Sequence, residues 1–232
     1  MINFFVSKLK KIWRKIFHGI FKKKRSYSLF NIDIKLKPYL SQIKDGFFLE
    51  AGANDGIEQS NTLYYEKNYG WRGILVEPIP ELAEKCRKNR PNDIVVENAL
   101  VSSQYGKSTV TMRYGGLMSL VKGGMKTEKE EDEQIGYAKV RNIETYEVEV
   151  PAKTLTSILE QNKVKKVDFI SLDIEGYELE ALKGLDFDKF RPSYILIEAR
   201  YEEDINSFMK DAGYEPVCKL SYHDILYSPK NN

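Results

Sequence analysis

Gly46-Phe-Phe-Leu-Glu-Ala-Gly-Ala-Asn-Asp-Gly56 is an apolar run that ends in a turn punctuated by glycines. Twenty-one residues after Gly56, a second apolar run, Gly73-Ile-Leu-Val-Glu-Pro78, ends in a carboxylate, Glu77. Strand, glycine turn, helix, strand and terminal acid form the layout of a nucleotide-binding βαβ unit. A dinucleotide fingerprint needs G-x-G-x-x-G, but position 54 is asparagine, which leaves Gly52-x-x-x-Gly56. Glu50 and Asp55 flank the turn, and each repels a pyrophosphate that seeks bare amides at a helix N-terminus. A cationic nucleoside suits this turn better. S-adenosylmethionine carries an adenosine, a sulfonium and an α-ammonium but no phosphate, so acids near the turn attract it and Glu77 can accept from its ribose hydroxyls.

The 232 residues fit one large domain with an appendage, and the composition is that of a folded chain, 42% hydrophobic and 30% charged. A net charge of +2 hides an asymmetry. Residues 1–32 hold nine Lys or Arg and no acid, which leaves 27 basic against 34 acidic residues in the rest. An acidic body argues against nucleic acid as the main substrate, because a phosphate backbone calls for a basic groove. Cys86 and Cys218 have no metal-type spacing and read as free thiols in a reducing compartment.

In the leader, residues 1–30, Ile2, Phe5, Val6, Leu9, Ile12, Trp13, Ile16, Phe17 and Ile20 recur at helical steps, with Lys8, Lys11, Arg14 and Lys15 largely opposite. No apolar run is long enough for a signal peptide or a spanning helix. Residues 1–25 therefore read as an interfacial helix for an anionic membrane surface, or as a helix docked on protein. Localisation is expected to be cytoplasmic, peripheral on the cytoplasmic face of a membrane.

Beyond the leader, residues 31–232 read as one domain. A helical segment over Asn31–Lys44, with Pro38 blurring its start, precedes a first strand at Phe47–Ala51, and a helix follows through Asn61–Lys67. Further strands are expected at Gly73–Glu77, Ile94–Leu100, Val167–Asp173 and Tyr194–Glu198. Helices are expected at Pro80–Asn89, Thr154–Asn162, Glu175–Lys183 and Glu202–Ala212. The tail reads as a hairpin of Tyr214–Leu220 with Asp224–Tyr227. Thr109–Arg113 and Tyr146–Val150 alternate in character and pair as extra strands. Between them, residues 113–145 carry five glycines and the charge run Lys126–Glu133, and read as a mobile surface loop, either a substrate lid or an inert insertion. The fold expected is α/β, Rossmann-like: a mostly parallel seven-stranded sheet with helices on both faces and a C-terminal antiparallel hairpin.

A second acidic site ends the fourth main strand: Ser171-Leu-Asp173-Ile-Glu175-Gly176-Tyr-Glu178. Asp173 lies at the carboxyl edge, where open α/β sheets bind ligands. Glu175 and Glu178, three apart, are expected on one face of a first helical turn, where the helix dipole alone also favours acids. His223 is the other candidate base.

Phe48-Leu-Glu-Ala-Gly-Ala-Asn-Asp-Gly56, Leu75-Val-Glu-Pro78, Glu97-Asn-Ala-Leu-Val-Ser102 and above all Val167–Gly184, with its D-x-E-G-x-E-x-x-x-L-x-G run, resemble the FkbM family of S-adenosylmethionine-dependent methyltransferases. The resemblance covers about residues 46–228. It implies a class I methyltransferase fold and O-methylation, often of sugars or other metabolite hydroxyls. The first-strand acid, often aspartate in such enzymes, is Glu50 here. On this reading Glu50, Gly52, Asn54, Asp55 and Gly56 shape the methionine side, and Glu77 with Pro78 holds the ribose. Asn98 and Ala99 lie beside the adenine, and Asp173 and Glu175 face the methyl group. Either acid serves as general base or, in a metal-assisted variant, as a ligand to a divalent cation; no resident metal is expected. The acceptor is a small molecule or glycan. A scaffold that keeps the fold without turnover, and a NAD-linked oxidoreductase, are the competing readings.

Overall fold

The computed structural model describes residues 26–230, so the basic leader over residues 1–25 lies outside the described residues. A 3-10 turn (Leu29–Asn31) leads into α1 (Ile32–Lys35) and α2 (Lys37–Leu40), followed by β1 (Phe47–Ala51), α3 (Leu63–Tyr69), β2 (Arg72–Val76) and α4 (Pro80–Asn89). Next come β3 (Ile94–Val96), β4 (Ala99–Leu100), β5 (Thr109–Tyr114), β6 (Leu120–Val121), α5 (Glu128–Val140), β7 (Tyr146–Lys153) and α6 (Leu155–Gln161). The chain closes with β8 (Phe169–Leu172), α7 (Glu178–Leu182), β9 (Tyr194–Glu198), α8 (Glu202–Asp211), β10 (Tyr214–Lys219) and β11 (Asp224–Pro229).

Seven strands form the main sheet in the order β10-β11-β9-β8-β1-β2-β3. The five from β9 to β3 run parallel, while β11 is antiparallel to both β9 and β10. This is the sheet expected from the sequence. Successive residues of its strands point to opposite faces. Leu49, Ile74, Ile170 and Ile197 enter one buried cluster, whereas Phe48, Leu75, Phe169 and Leu196 enter another with Ile32, Leu36 and Leu40 of the first two helices. The order of strands reverses beside β1: the chain moves outward through β2 and β3, then returns to β8 on the other side. Such a switch point leaves a crevice at the carboxyl ends.

Three expectations change. The strand expected over Ile94–Leu100 is two pieces, because the chain changes sheets at Glu97-Asn98: β3 pairs with β2, while β4 pairs with β7 in a second sheet ordered β4-β7-β5-β6. Residues 113–145 hold a strand and a thirteen-residue helix rather than a loop. Thr127 caps that helix, its hydroxyl accepting from the Glu130 amide at 3.2 Å, and Glu128, Glu130 and Glu131 sit in its first turn, where the dipole favours them. Leu120, Met125 and Ile135 form a small core of their own beneath it. The helix expected from Glu175 shrinks to Glu178–Leu182, because Glu175 (φ 57°) and Gly176 (φ 96°) are left-handed.

The loop that follows β1 is held from behind by a buried polar network. Glu50 spends both carboxylate oxygens on it, accepting from the Ser60 hydroxyl (2.8 Å), the Thr62 hydroxyl (2.5 Å) and the Asn61 amide (2.6 Å). From the end of α4, the fully buried Arg90 donates to the Gly56 carbonyl at 3.0 Å and to Ser60 and Thr62 at 3.3 Å. Its Nε pairs with Asp93 at 2.9 Å and with Glu66. Gly56 (φ 80°) has no alternative: an added Cβ meets Arg90 Cγ at 2.8 Å and Cys86 Sγ at 2.9 Å.

Removing one partner of a buried ion cluster leaves uncompensated charge, and Arg90→Met is expected to cost about 3–5 kcal/mol of unfolding free energy. Urea denaturation measures this; a loss below about 1 kcal/mol, the level of an exposed pair, would refute the role given to Arg90.

Candidate active site

The carboxyl ends of β1, β2 and β8 open onto a cleft continuous with solvent. Gly52 leaves β1 with φ 78°, and a Cβ there would stand 1.8 Å from the Asp173 carbonyl oxygen. Glycine is therefore required where the first turn meets the end of β8. Asn54, also left-handed (φ 50°), directs its amide to Glu77 Oε2 at 2.8 Å, and the Ile79 amide donates to Glu77 Oε1 at 3.0 Å. Burial pushes Glu77 up to about 7, against the pull of those two amides. Pro78, Asn98, Ala99 and Leu100 also line the cleft, and Met112, Leu117, Met118, Val121 and Tyr177 give it an apolar wall, of which Met112, Val121 and Tyr177 pack in one cluster with Ala99.

At the β8 end, oxygens of Asp173, Glu175 and Glu198 lie within 4.8 Å of one another. Burial, then the charges of Glu198 and Glu175, hold the Asp173 carboxyl well above the usual range. Glu175 is pushed up to about 8 by burial and by Glu198, partly offset by Arg200 at 3.3 Å, and it accepts from the Gln134 side-chain amide of α5. Glu178 does not share a helix face with Glu175. It is buried, and its Oε1 accepts from the Ile174 and Gly176 amides at 3.0 Å each, which holds the left-handed turn in place.

Of the residues expected at the site, Gly52, Asn54, Glu77, Pro78, Asn98, Ala99, Asp173 and Glu175 line the cleft. Glu50, Asp55 and Gly56 do not. The Glu50 oxygens are consumed behind the loop, Asp55 Oδ1 accepts from the Ile57 and Glu58 amides at 2.8 Å, and Gly56 packs on Arg90. His223 is exposed on the β10–β11 turn, edge-on to the Tyr222 ring, outside the cleft. Sequence reasoning missed Glu198, because its partner Asp173 is a neighbour only through strand pairing. It also missed Glu58, Gln59 and the apolar wall. Thr127-x-x-Glu130 is a helix-start signal that would have placed α5, and with it Gln134.

Four carboxylates line the cleft (Glu58, Glu77, Asp173 and Glu175), and among the described residues no Lys, Arg or His does. Such a lining repels a pyrophosphate and attracts a cation. Its charge fits S-adenosylmethionine: a buried carboxylate ends β2, apolar residues line the cleft, and a second group of acids stands at the end of β8.

The model of the methyltransferase FkbM domain matches residues 50–216. "Methyltransferase 1" of Beauveria bassiana (strain ARSEF 2860) is 28% identical over 151 residues, which are 61% of this chain and 59% of the fungal protein, so the chain spans less than two thirds of that relative. Among solved structures, the chain is similar to precorrin-6y C5,15-methyltransferase from Geobacter metallireducens GS-15 (13% identity, 89% of this chain and 91% of that one, TM-score 0.47). It is also similar to a TehB-like SAM-dependent methyltransferase from Corynebacterium glutamicum ATCC 13032 Kitasato (11% identity, 97% of each chain, TM-score 0.43). With the family model spanning both strand-end sites, the chain belongs to the FkbM family of S-adenosylmethionine-dependent methyltransferases.

Proposed function

We propose that the chain is an S-adenosylmethionine-dependent O-methyltransferase whose acceptor is a hydroxyl of a sugar or glycan. The observation that carries this reading is the cleft lined by four carboxylates and, among the described residues, by no cationic side chain; the same lining argues against NAD and against nucleic acid. Gly52 and Asn54 border the methionine side, Glu77 with Pro78 takes the ribose, and Asn98 and Ala99 take the adenine. Glu50, Asp55 and Gly56 act one step back, by fixing the loop that presents the Asn54 amide. When bound, S-adenosylmethionine supplies a methyl group on a sulfonium whose departure leaves a neutral thioether. The remaining work is alignment, exclusion of water and removal of one proton. Asp173 is the residue we assign to that proton, because it lines the cleft and its carboxyl has a raised proton affinity. Glu175, held by Gln134 and Arg200, flanks it as the second acid. Met112, Leu117, Met118 and Tyr177 shield the acceptor side from water.

A sugar acceptor is supported by the family resemblance and not by a contact, and we place the enzyme at the cytoplasmic face of a membrane on the strength of residues 1–25. Their apolar periodicity and nine-residue basic excess over residues 1–32 suit an anionic surface. Among the described residues, no helix is long and apolar enough to cross a membrane.

With tritiated S-adenosylmethionine and an extract of surface glycans, Asp173→Asn is expected to lower methyl transfer by about 10²–10⁴-fold, with calorimetric affinity for S-adenosylhomocysteine retained. Unchanged transfer removes Asp173 from the reaction. Glu77→Ala is expected to weaken cofactor binding by about 10–100-fold, the loss of a hydrogen bond to a charged group; equal affinity contradicts the ribose assignment. On anionic liposomes the full chain is expected to float while a chain starting at Ser26 stays in the dense fraction, and equal flotation of both eliminates the anchor.

A further inference from the structure

We propose that the carboxyl edge of the main sheet docks on an anionic phospholipid surface through Leu29, Phe30 and Tyr222, so that the cleft opens toward the bilayer. This orientation rests on residues 1–25 binding such a surface, and it adds the face of the body that meets the lipid. The chain enters the body under tight constraint at Ser26. Asp33 has no exposed surface; its carboxylate accepts from the Ser26 hydroxyl at 2.6 Å and the Tyr27 amide at 2.7 Å, while its own amide donates to the Ser28 hydroxyl at 2.7 Å. Tyr65 donates its hydroxyl to the Asp33 carbonyl at 2.7 Å from the first turn of α3, which starts beside Thr62 and the Glu50 carboxylate near the carboxyl end of β1. Lys35 donates to the Leu220 carbonyl at 2.5 Å, and Leu220 belongs to the β10–β11 turn, whose Asp224 stands opposite Glu198 at the carboxyl end of β9. From there the chain descends to the other edge. The Tyr39 ring lies 5.8 Å from that of Tyr194, and the Ile43 carbonyl accepts from the Trp71 indole at 3.0 Å, both partners being at the amino ends of their strands. Residues 26–31 are thereby fixed on the cleft side of the sheet.

Both segments on that side present apolar surface to solvent. Phe30 is 58% exposed and left-handed (φ 52°), a conformation that a bulky residue rarely adopts. Leu29 beside it is 49% exposed, and Tyr222 on the β10–β11 turn is 81% exposed. The bond from Lys35 to Leu220 joins the two segments, and Lys219 stands 5.8 Å over the Tyr222 ring. Charge selects the partner. Lys22-Lys23-Lys24-Arg25 directly precedes Ser26, and at most about 14 Å of extended chain separates Arg25 from Leu29. A head group that meets these cations is therefore within reach of the apolar pair. Aromatic rings at the head-group level beside lysines and arginines are the composition of an interfacial membrane contact. With this edge on the bilayer, a hydroxyl borne on a lipid reaches the cleft without leaving the surface.

Ile94, 41% exposed at the amino end of β3, marks the opposite edge and serves as the control. A nitrobenzoxadiazole label is attached to Phe30→Cys, Tyr222→Cys or Ile94→Cys of the full-length protein carrying Cys218→Ser, in which the remaining Cys86 is buried. Emission is read on vesicles of phosphatidylglycerol mixed with phosphatidylcholine. Labels at positions 30 and 222 are expected to brighten by at least about twofold as they leave water, and the label at position 94 to stay unchanged. Without labels, Phe30→Ser combined with Tyr222→Ser is expected to weaken partition onto the same vesicles by about tenfold, whereas Ile94→Ser leaves it unchanged. Silent labels at 30 and 222 on protein that floats with the vesicles would mean that the leader tethers a freely swinging body; the docking face is then overturned and the anchor stands. A response at position 94 overturns the docking face as well, by turning the other edge to lipid, and so does unweakened partition of the double variant. If the full-length protein does not float with the vesicles, the anchor itself fails and takes this inference with it.

Discussion

A guanidinium with no exposed surface is the constraint on which the site depends. Arg90 ties the end of α4 to the Gly56 carbonyl and the Ser60 and Thr62 hydroxyls, while Glu50 grips Ser60, Asn61 and Thr62 from β1. The segment between them has several left-handed residues, among them Gly52, Asn54 and Gly56, and a backbone of that kind persists only where its surroundings over-determine it. With the loop held in this way, the Asn54 amide reaches Glu77, and the first turn rests against the Asp173 carbonyl. Acids nearest the glycine turn in sequence thus support the binding surface from behind, and acids at the ends of β2 and β8 form it.

The charge pattern of the cleft follows from this division. Asp55 spends an oxygen on its own turn and Glu178 caps the turn after β8, so neither adds a free carboxylate to the cavity. Besides the exposed Glu58, three carboxyls remain at the cleft, Glu77 at the end of β2 and Asp173 with Glu175 at the end of β8. Burial raises the proton affinity of all three, and an approaching cation lowers it again.

Much of the fold was legible in the sequence. β1, α4 and β9 begin and end at the residues expected, because short apolar runs bounded by glycine, proline or acids leave little choice of period. The mostly parallel sheet with its terminal antiparallel hairpin followed from strand and helix alternation, though the order of its strands did not. Failures arose where long-range contacts override local pattern. Ile94–Leu100 reads as one strand, yet the chain is divided between two sheets; Glu175 reads as a helix start, yet the turn beneath Glu178 makes it left-handed. Flanking glycines masked α5, although Thr127 and Glu130 announce its beginning. Gly52, Asn54, Glu77 and Asp173, which line the cleft, were readable from spacing, whereas Glu50, Asp55 and Gly56, read from the same first turn, stand behind it. Glu198 was not, since nothing but register joins it to Asp173, and no local pattern around Arg90 announces that its side chain is buried.

The apolar wall of the cleft is shared: Met112, Val121 and Tyr177 pack with Ile79, Leu82 and Ala99, whereas the segment around α5 has its own small core, Leu120, Met125 and Ile135, and polar contacts such as Gln134 with Glu175 and Arg200, Tyr201 with Glu130, and Lys126 with Asp204. Substitutions inside the small core under α5 are therefore felt locally, whereas changes at Met112 or Val121 propagate into the packing beneath Ala99 and so carry a cost to the domain itself.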